Sequence, residues 1–471
     1  MNQTEEQNPY REAFNTLKES QFKVANRTYK QRIQKLKKLR VALEHTFKND
    51  IRQALYEDFK KPFLETDLSE IYPVISEIKL AQRELKSWTG KHSVSTPWAL
   101  FGATSWIKYE PKGVCLIIAP WNFPFNLLLS PLVSAVAAGN VVILKPSEMA
   151  PHSAKVLDKI SKYVFEPNEV ILVQGGIPET EELLKLPFNH IFFTGSTAVG
   201  KIIMREAAKN LTSVTLELGG KSPTIVDASA NIEAAVQKIV FGKCLNAGQT
   251  CIAPDYLLVH DKVKDRVIDQ LKKTIKQFYS ENPETAVSFS RIVNQKHLER
   301  LEKLLQNALS LGATVECGGL INKQQNYMEP TVLSDVAPQA NILKEEIFGP
   351  ILPVLTFSTL EEAIAIINTR ERPLAMYIYS KTPKNITQLV NNTRTGGTCI
   401  NNNLVHFLNH QLPFGGVNSS GIGKSHGFFG FEEFSNKRAM LKQHIWATTK
   451  LIYPPYNKFK QKVVDVMLKW F

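Results

Sequence analysis

The apolar positions near the start of the chain recur with a helical period. Ile33, Leu36, Leu43, Phe47, Ile51 and Leu55 stand at helical spacing among Lys, Arg and Glu, the pattern of a helix with one buried stripe. A second stripe through Ile71, Val74, Ile78 and Leu85 extends the expectation of helices over 10–88. The period is lost over 89–110, where Gly90, Pro97, Gly102 and scattered aromatics suit a strand pair or a linker.

At Gly113 the texture changes. Short β-rich apolar runs at 114–119, 141–144, 170–173 and 191–193 are separated by helical stretches near 127–138, 152–164 and 179–186. That rhythm predicts a parallel sheet covered on both faces. A second alternating block runs from about 215 to 400, with strands at 256–259, 351–357 and 375–379 and helices over 262–278 and 360–368. A glycine-rich segment at 413–423 and a mixed tail follow. The expected class is α/β, with two α/β domains and a small extra element.

Composition narrows the function classes. A chain of 471 residues that is 43% hydrophobic buries more than one core. The net charge of +13 raises nucleic acid as a partner, but the basic residues are dispersed. No basic-aromatic module is present, so no nucleic-acid binding is expected. The five cysteines, Cys115, Cys244, Cys251, Cys317 and Cys399, are widely spaced and show neither paired nor zinc-ligand spacing. Reduced thiols fit better than a disulfide framework. The polar N-terminus gives no signal peptide, no apolar run is long enough to span a membrane, and the expected location is the cytoplasm.

Two glycine loops come close to a phosphate-binding pattern and miss it. Gly195, Gly200 and Lys201 have the right spacing, but Ile202 replaces the magnesium-binding hydroxyl. Gly423-Lys424-Ser425 has Asn418 where the first glycine belongs. The first loop still opens a helix and suits a pyrophosphate at its N-terminus, or its glycines only shape a turn. Asn122, between Pro120 and Pro124 at the end of the first strand, reads as an oxyanion donor or as an Asn satisfying a turn. Lys145 and Glu148 end the next strand, as ribose ligands or as a solvated pair. Cys251, in Gly248-Gln249-Thr250-Cys251, supplies a nucleophile and Glu217, in Glu217-Leu218-Gly219-Gly220, a general base for releasing an acyl group with water. Cys244 reads as a small buried hydrophobe, and so do Cys115, Cys317 and Cys399.

Taken together, the chain resembles an aldehyde dehydrogenase. The matching pieces, in family order, lie at 120–124, 145–148, 193–197, 217–223, 248–251, 345–350 and 413–423. The sequence after Cys251 and the Tyr453-Pro454-Pro455-Tyr456 ending resemble the class 3, or fatty aldehyde, branch. The resemblance implies NAD(P)-dependent oxidation of a medium- or long-chain aliphatic or aromatic aldehyde to the acid. Cys251 would form a thiohemiacetal and then a thioester, and Glu217 would activate water. Asn122 and the Cys251 N–H would form the oxyanion hole, with no metal required. Trp121, Lys145, Glu148, Gly195, Ser196, Glu346 and Phe348 would bind the cofactor, NAD slightly preferred over NADP because Glu148 repels a 2′-phosphate.

The resemblance also implies a Rossmann-like cofactor domain at 1–88 and 111–214 and a catalytic domain at 215–400. A bridging or oligomerisation element at 89–110 and about 430–450 would suit a homodimer, and 451–471 form a tail. That tail alternates Lys with Phe459, Val463, Val466, Met467, Trp470 and Phe471. It packs on its own or a neighbouring subunit, or touches a membrane surface weakly. Two other classes compete with the dehydrogenase. One is a thiol hydrolase or acyl-transferase without a redox cofactor, partnered by His406, His410 or His426. The other is a non-catalytic protein on the same scaffold.

Overall fold

A computed structural model of the chain describes residues 8–444 and 453–470. The polar start at 1–7, the 445–450 end of the bridging element, and 451–452, Phe471 and the Trp470 side chain in the tail lie outside the described residues.

The expected helical start is built from Arg11–Ala25, Tyr29–Val41, Lys48–Phe59 and Tyr72–Trp88. Leu36, Ile51, Leu55, Val74, Ile78 and Leu85 form their buried stripe. The last three of these helices cover one face of a six-stranded sheet whose order is Gly421–Ile422, Ser213–Glu217, His190–Thr194, Val114–Ile118, Val141–Lys145, Val170–Leu172. All but the first of these strands run parallel. Successive side chains of a strand face opposite sides, and here both sides are dry. Cys115, Ile117, Val142, Leu144 and Phe192 meet those three helices and Pro124–Ala138, which is buried at every position but Leu127. Leu116, Ile118, Ile143, Ile191 and Phe193 meet Phe14, Leu17 and Ile203 on the other side. Continuous apolar strands were the sequence signature of this arrangement.

The second sheet has seven strands, in the order Thr314–Cys317, Thr331–Ser334, Ile351–Phe357, Tyr256–His260, Pro223–Val226, Ala375–Tyr379, Gly397–Ile400. Only Thr314–Cys317 runs antiparallel to its neighbour. The division expected at 214/215 falls inside the strand Ser213–Glu217, which pairs residue for residue with His190–Thr194 in the first sheet. The chain changes sheets between Glu217 and Pro223.

Residues 89–110 do form strands. His92–Val94 and Ser435–Gln443 flank Ala103–Pro111 in an antiparallel three-stranded sheet. The tail contains the helix Lys458–Trp470, with Phe459, Val466 and Leu468 exposed. Among the described residues, no helix is long and apolar enough to cross a membrane.

Candidate active site

The first sheet changes winding direction between two neighbouring strands. From Val114–Ile118 the chain moves outward to Val141–Lys145 and Val170–Leu172, then returns to the other side as His190–Thr194 and Ser213–Glu217. Loops leaving such neighbours diverge, and the gap between them at the carboxyl ends is where ligands bind in open α/β sheets. Trp121 and Asn122 follow the first of these strands, Gly195 and Ser196 follow the second, and Glu217 ends the third. They line one cleft of about 470 Å³, together with Cys251, Glu346 and Phe348.

Cys251 reaches the cleft through an unusual turn. After the helix Ile232–Cys244, Asn246 and Ala247 both have φ 51° and Gly248 has φ 76°. A Cβ on Gly248 would collide with the Gly349 carbonyl, so only glycine lets this loop dock on the segment carrying Glu346 and Phe348. Cys251 keeps partial exposure. Burial, and then the Glu346 and Glu217 carboxylates, push its thiol well above the usual range, so the resting group is a thiol.

Glu217 is 5% exposed. One carboxylate oxygen accepts the Ser425 hydroxyl at 2.8 Å, while the other is buried without a partner. Burial raises its pKa to about 8, against the lowering effects of Ser425 and Lys424. The glycine-rich segment brings these groups in. Gly421 pairs with Glu217 as that segment joins the sheet edge, and Phe414 bridges to Ser425.

Asn122 is 2% exposed. One amide N–H donates to the Gln249 carbonyl at 3.0 Å, leaving the second N–H for a ligand oxygen. Glu346 is raised to about 8, mainly by burial and then by Asp255. Its carboxylate occupies the space that a side chain at Gly219 would need. Phe348 has φ 48° and meets Trp121 edge-on at 5.5 Å. Ser196 caps the helix Thr197–Ala208, its hydroxyl accepting the Val199 N–H at 3.4 Å.

Lys145 and Glu148 stand apart from these groups. The Lys145 ammonium donates to the carbonyls of Pro146 at 2.9 Å and Gly175 at 2.6 Å. Glu148 is exposed beside Gly176. Neither lines the cleft.

A model of the aldehyde dehydrogenase family matches residues 2–440. The chain belongs to that family. It is an NAD(P)-dependent enzyme that oxidises an aldehyde to the carboxylic acid.

The dehydrogenase is similar to the 4,4′-diaponeurosporen-aldehyde dehydrogenase of Staphylococcus aureus, 45% identical over 91% of this chain and 93% of that one. It is also similar to the dimeric NADP-preferring aldehyde dehydrogenase of Rattus norvegicus, 42% identical over 94% and 96% of the two chains. Among solved structures, the substrate-bound state of Staphylococcus aureus AldH matches with a TM-score of 0.94 at 42% identity, covering 99% of this chain and 100% of that one.

The dehydrogenase carries site residues that no motif announced. His297 and Arg300, from the helix Gln295–Ser310, line the cleft. The His297 ring lies 5.1 Å from Trp121, and Arg300 donates to the Glu346 carbonyl at 3.2 Å. Of the candidate histidines, His426 shares a narrow cavity with Cys251 and Glu217. His410 faces Glu77 at 2.8 Å, and the His406 ring lies against those of Tyr377 and Phe414. Cys115 and Cys244 are buried, as expected of small hydrophobes, but Cys317 and Cys399 are only half-buried. Both of those lie on strands of the second sheet, Thr314–Cys317 and Gly397–Ile400, that stand at its two ends.

Proposed function

We propose that Cys251 is the nucleophile, Glu217 the general base and Asn122 the oxyanion donor of this aldehyde oxidation. The observation that carries the assignment is their convergence: three segments far apart in the chain place a thiol, a carboxylate and an amide donor around one cleft. As the Cys251 sulfur bonds to the aldehyde carbon, its proton passes to solvent water in the cleft, and Glu217 is kept for the second stage. The carbonyl electrons move to oxygen, which accepts hydrogen bonds from the free Asn122 N–H and the Cys251 N–H. When bound, the nicotinamide cofactor supplies the acceptor for the hydride lost from that carbon. A thioester on Cys251 remains. Glu217, ionised, then takes a proton from water, the hydroxide adds to the thioester, and the acid departs as the Cys251 sulfur leaves and takes that proton back from Glu217.

The cleft fits a dinucleotide on its own features. The N-terminus of Thr197–Ala208, preceded by Gly195 and Ser196, presents backbone N–H groups suited to a pyrophosphate. The Glu346 carboxylate would hold a ribose, with Phe348 and Trp121 packing beside it. Lys145 and Glu148 would take the adenosine ribose. Exposed Glu148 favours NAD over NADP, although the similar rat enzyme is named NADP-preferring.

A second, apolar cavity meets Cys251 from the other side, lined by Phe123, Leu245, Ile252, Leu404, Phe407 and Phe414. It supports a medium- or long-chain aliphatic or aromatic aldehyde. The similar Staphylococcus aureus enzyme, named for 4,4′-diaponeurosporen-aldehyde, supports the same reading. The exposed outer strand Ser435–Gln443 supports a homodimer built on the three-stranded sheet, and the free cysteines support a cytoplasmic location. The tail helix carries no membrane role in this proposal. The test is to follow reduced cofactor from NAD or NADP with a series of aldehydes. No turnover with any of them, or full activity in Cys251→Ala, overturns the assignment.

A further inference from the structure

The turn that carries Asn122 lies beyond the end of its strand, where no ladder bond fixes it. An oxyanion donor must nevertheless be held to within a fraction of an ångström. Two donors grip its backbone carbonyl: the Lys61 ammonium at 3.1 Å and the Asn246 amide at 2.9 Å. Lys61 is 0% exposed, and so is its partner Glu70, at 2.8 Å. The second Glu70 oxygen accepts the N–H groups of Phe125 at 3.1 Å and Asn126 at 3.0 Å, at the start of the helix Pro124–Ala138. The Lys61 ammonium also lies 4.2 Å from the centre of the Phe123 ring, within cation–π range. Residues 122, 123, 125 and 126 are thus all held by one buried ion pair from the N-terminal helical region.

The other side of the amide is fixed as well. The Gln249 carbonyl that accepts from the Asn122 side chain also accepts from Asn246 at 3.2 Å. Gln249 stands two residues before Cys251, so the nucleophile loop and the oxyanion donor are tied to the same frame. The backbone N–H of Asn246 donates in turn to half-buried Glu65 at 2.9 Å. Burying two opposite charges is expensive, and a well-packed apolar pair of similar volume would commonly be as stable. An apolar pair would fill the space but would leave the Asn122 carbonyl without one of its donors. The ion pair is explained by orientation rather than by stability.

We infer that Lys61 and Glu70 are positioning residues for the reaction, acting through Asn122 by setting the direction of its amide. The inference rests on the reading of Asn122 as the oxyanion donor. Neither residue touches substrate or cofactor. Both act on the step in which charge develops on the aldehyde oxygen, and neither acts on cofactor affinity.

The experiment compares Lys61→Met, Glu70→Gln, the double variant, and Asn122→Ala with and without the double change. The readouts are melting temperature, KM for NAD, and the rate of the first-turnover burst of reduced cofactor. Each single ion-pair variant should melt earlier, because it strands a buried charge. The double variant should recover most of that stability yet keep a burst at least about tenfold slow, a fraction of the loss seen when an oxyanion donor is removed outright. Its KM for NAD should stay near that of the wild type. Added to Asn122→Ala, the double change should slow the burst no further, because its effect runs through the amide already removed. A double variant with a wild-type burst rate overturns the inference, as do losses that multiply with Asn122→Ala. A wild-type burst rate in Asn122→Ala itself overturns the oxyanion reading instead. A slow Asn122→Ala beside normal ion-pair variants overturns only the positioning role.

Discussion

Two of the cavities that meet at Cys251, the large cleft and the apolar one, differ in almost every physical respect. On one side lies the cleft of about 470 Å³, lined by Glu346, Arg300, Ser196 and Asn122. On the other lies a cavity of about 70 Å³ lined chiefly by Phe, Leu and Ile side chains. The wide side offers charge, a helix N-terminus and fixed donors, which a dinucleotide needs. The narrow side offers apolar surface and few polar groups, which selects by shape and hydrophobicity alone. On the proposed assignment, chemistry and cofactor use belong to one side of the thiol and substrate choice to the other. Changes on one side should leave the other side's parameters intact.

The largest effect belongs to the shared boundary. Cys251→Ala should lower kcat by at least about a thousandfold with every aldehyde, measured by reduced-cofactor formation. Next comes Glu217→Gln, which should give a burst equal to the enzyme concentration and then a steady rate about a hundredfold or more below wild type. Its pH dependence has a definite sign. Glu217 works as a base only when ionised and its pKa is raised to about 8, so wild-type activity should climb as pH rises through about 8. A profile already flat between pH 6 and 9 would show that another group limits the rate.

Smaller effects separate the two sides. Gly219→Ala should displace the Glu346 carboxylate from its place and raise KM for NAD by about tenfold, with chain-length preference unchanged. Phe407→Ala should do the reverse. It should shift kcat/KM among aldehydes of different length by roughly tenfold, the scale of a few methylenes in an apolar pocket, with KM for NAD unaltered. If either variant moved both parameters together, the division between the sides would fail.

The sequence carried the architecture further than it carried the site. Both sheets were visible because their strands are buried on both faces and read as continuous apolar runs, as at 114–119 and 141–144. The expected boundary falls inside Ser213–Glu217, whose alternation through Val214 and Leu216 continues the first sheet just where the second block's composition begins. Cys251, Glu217 and Asn122 stood out as candidates because each sits in or next to a short turn of small or rigid residues. Ser425, His297, Arg300, Lys61 and Glu70 were not. Ser425 touches Glu217 across 208 positions of chain, and Lys61 touches Asn122 across 61. Contacts of that range leave no local pattern, and Lys61 looks like any surface lysine until its burial is seen. Lys145 and Glu148 were legible as strand-end residues, but their separation from the cleft lining was not.

The assignment of Cys251 as the carrier of the acyl group is tested most directly by trapping it. Glu217→Gln, mixed with NAD and an excess of a long-chain aldehyde, is quenched in acid and its peptides weighed. The expected result is one acyl group per chain, on the peptide containing Cys251, in step with one equivalent of reduced cofactor. Reduced cofactor formed with Cys251 unmodified, or the acyl group found on another cysteine, would contradict it.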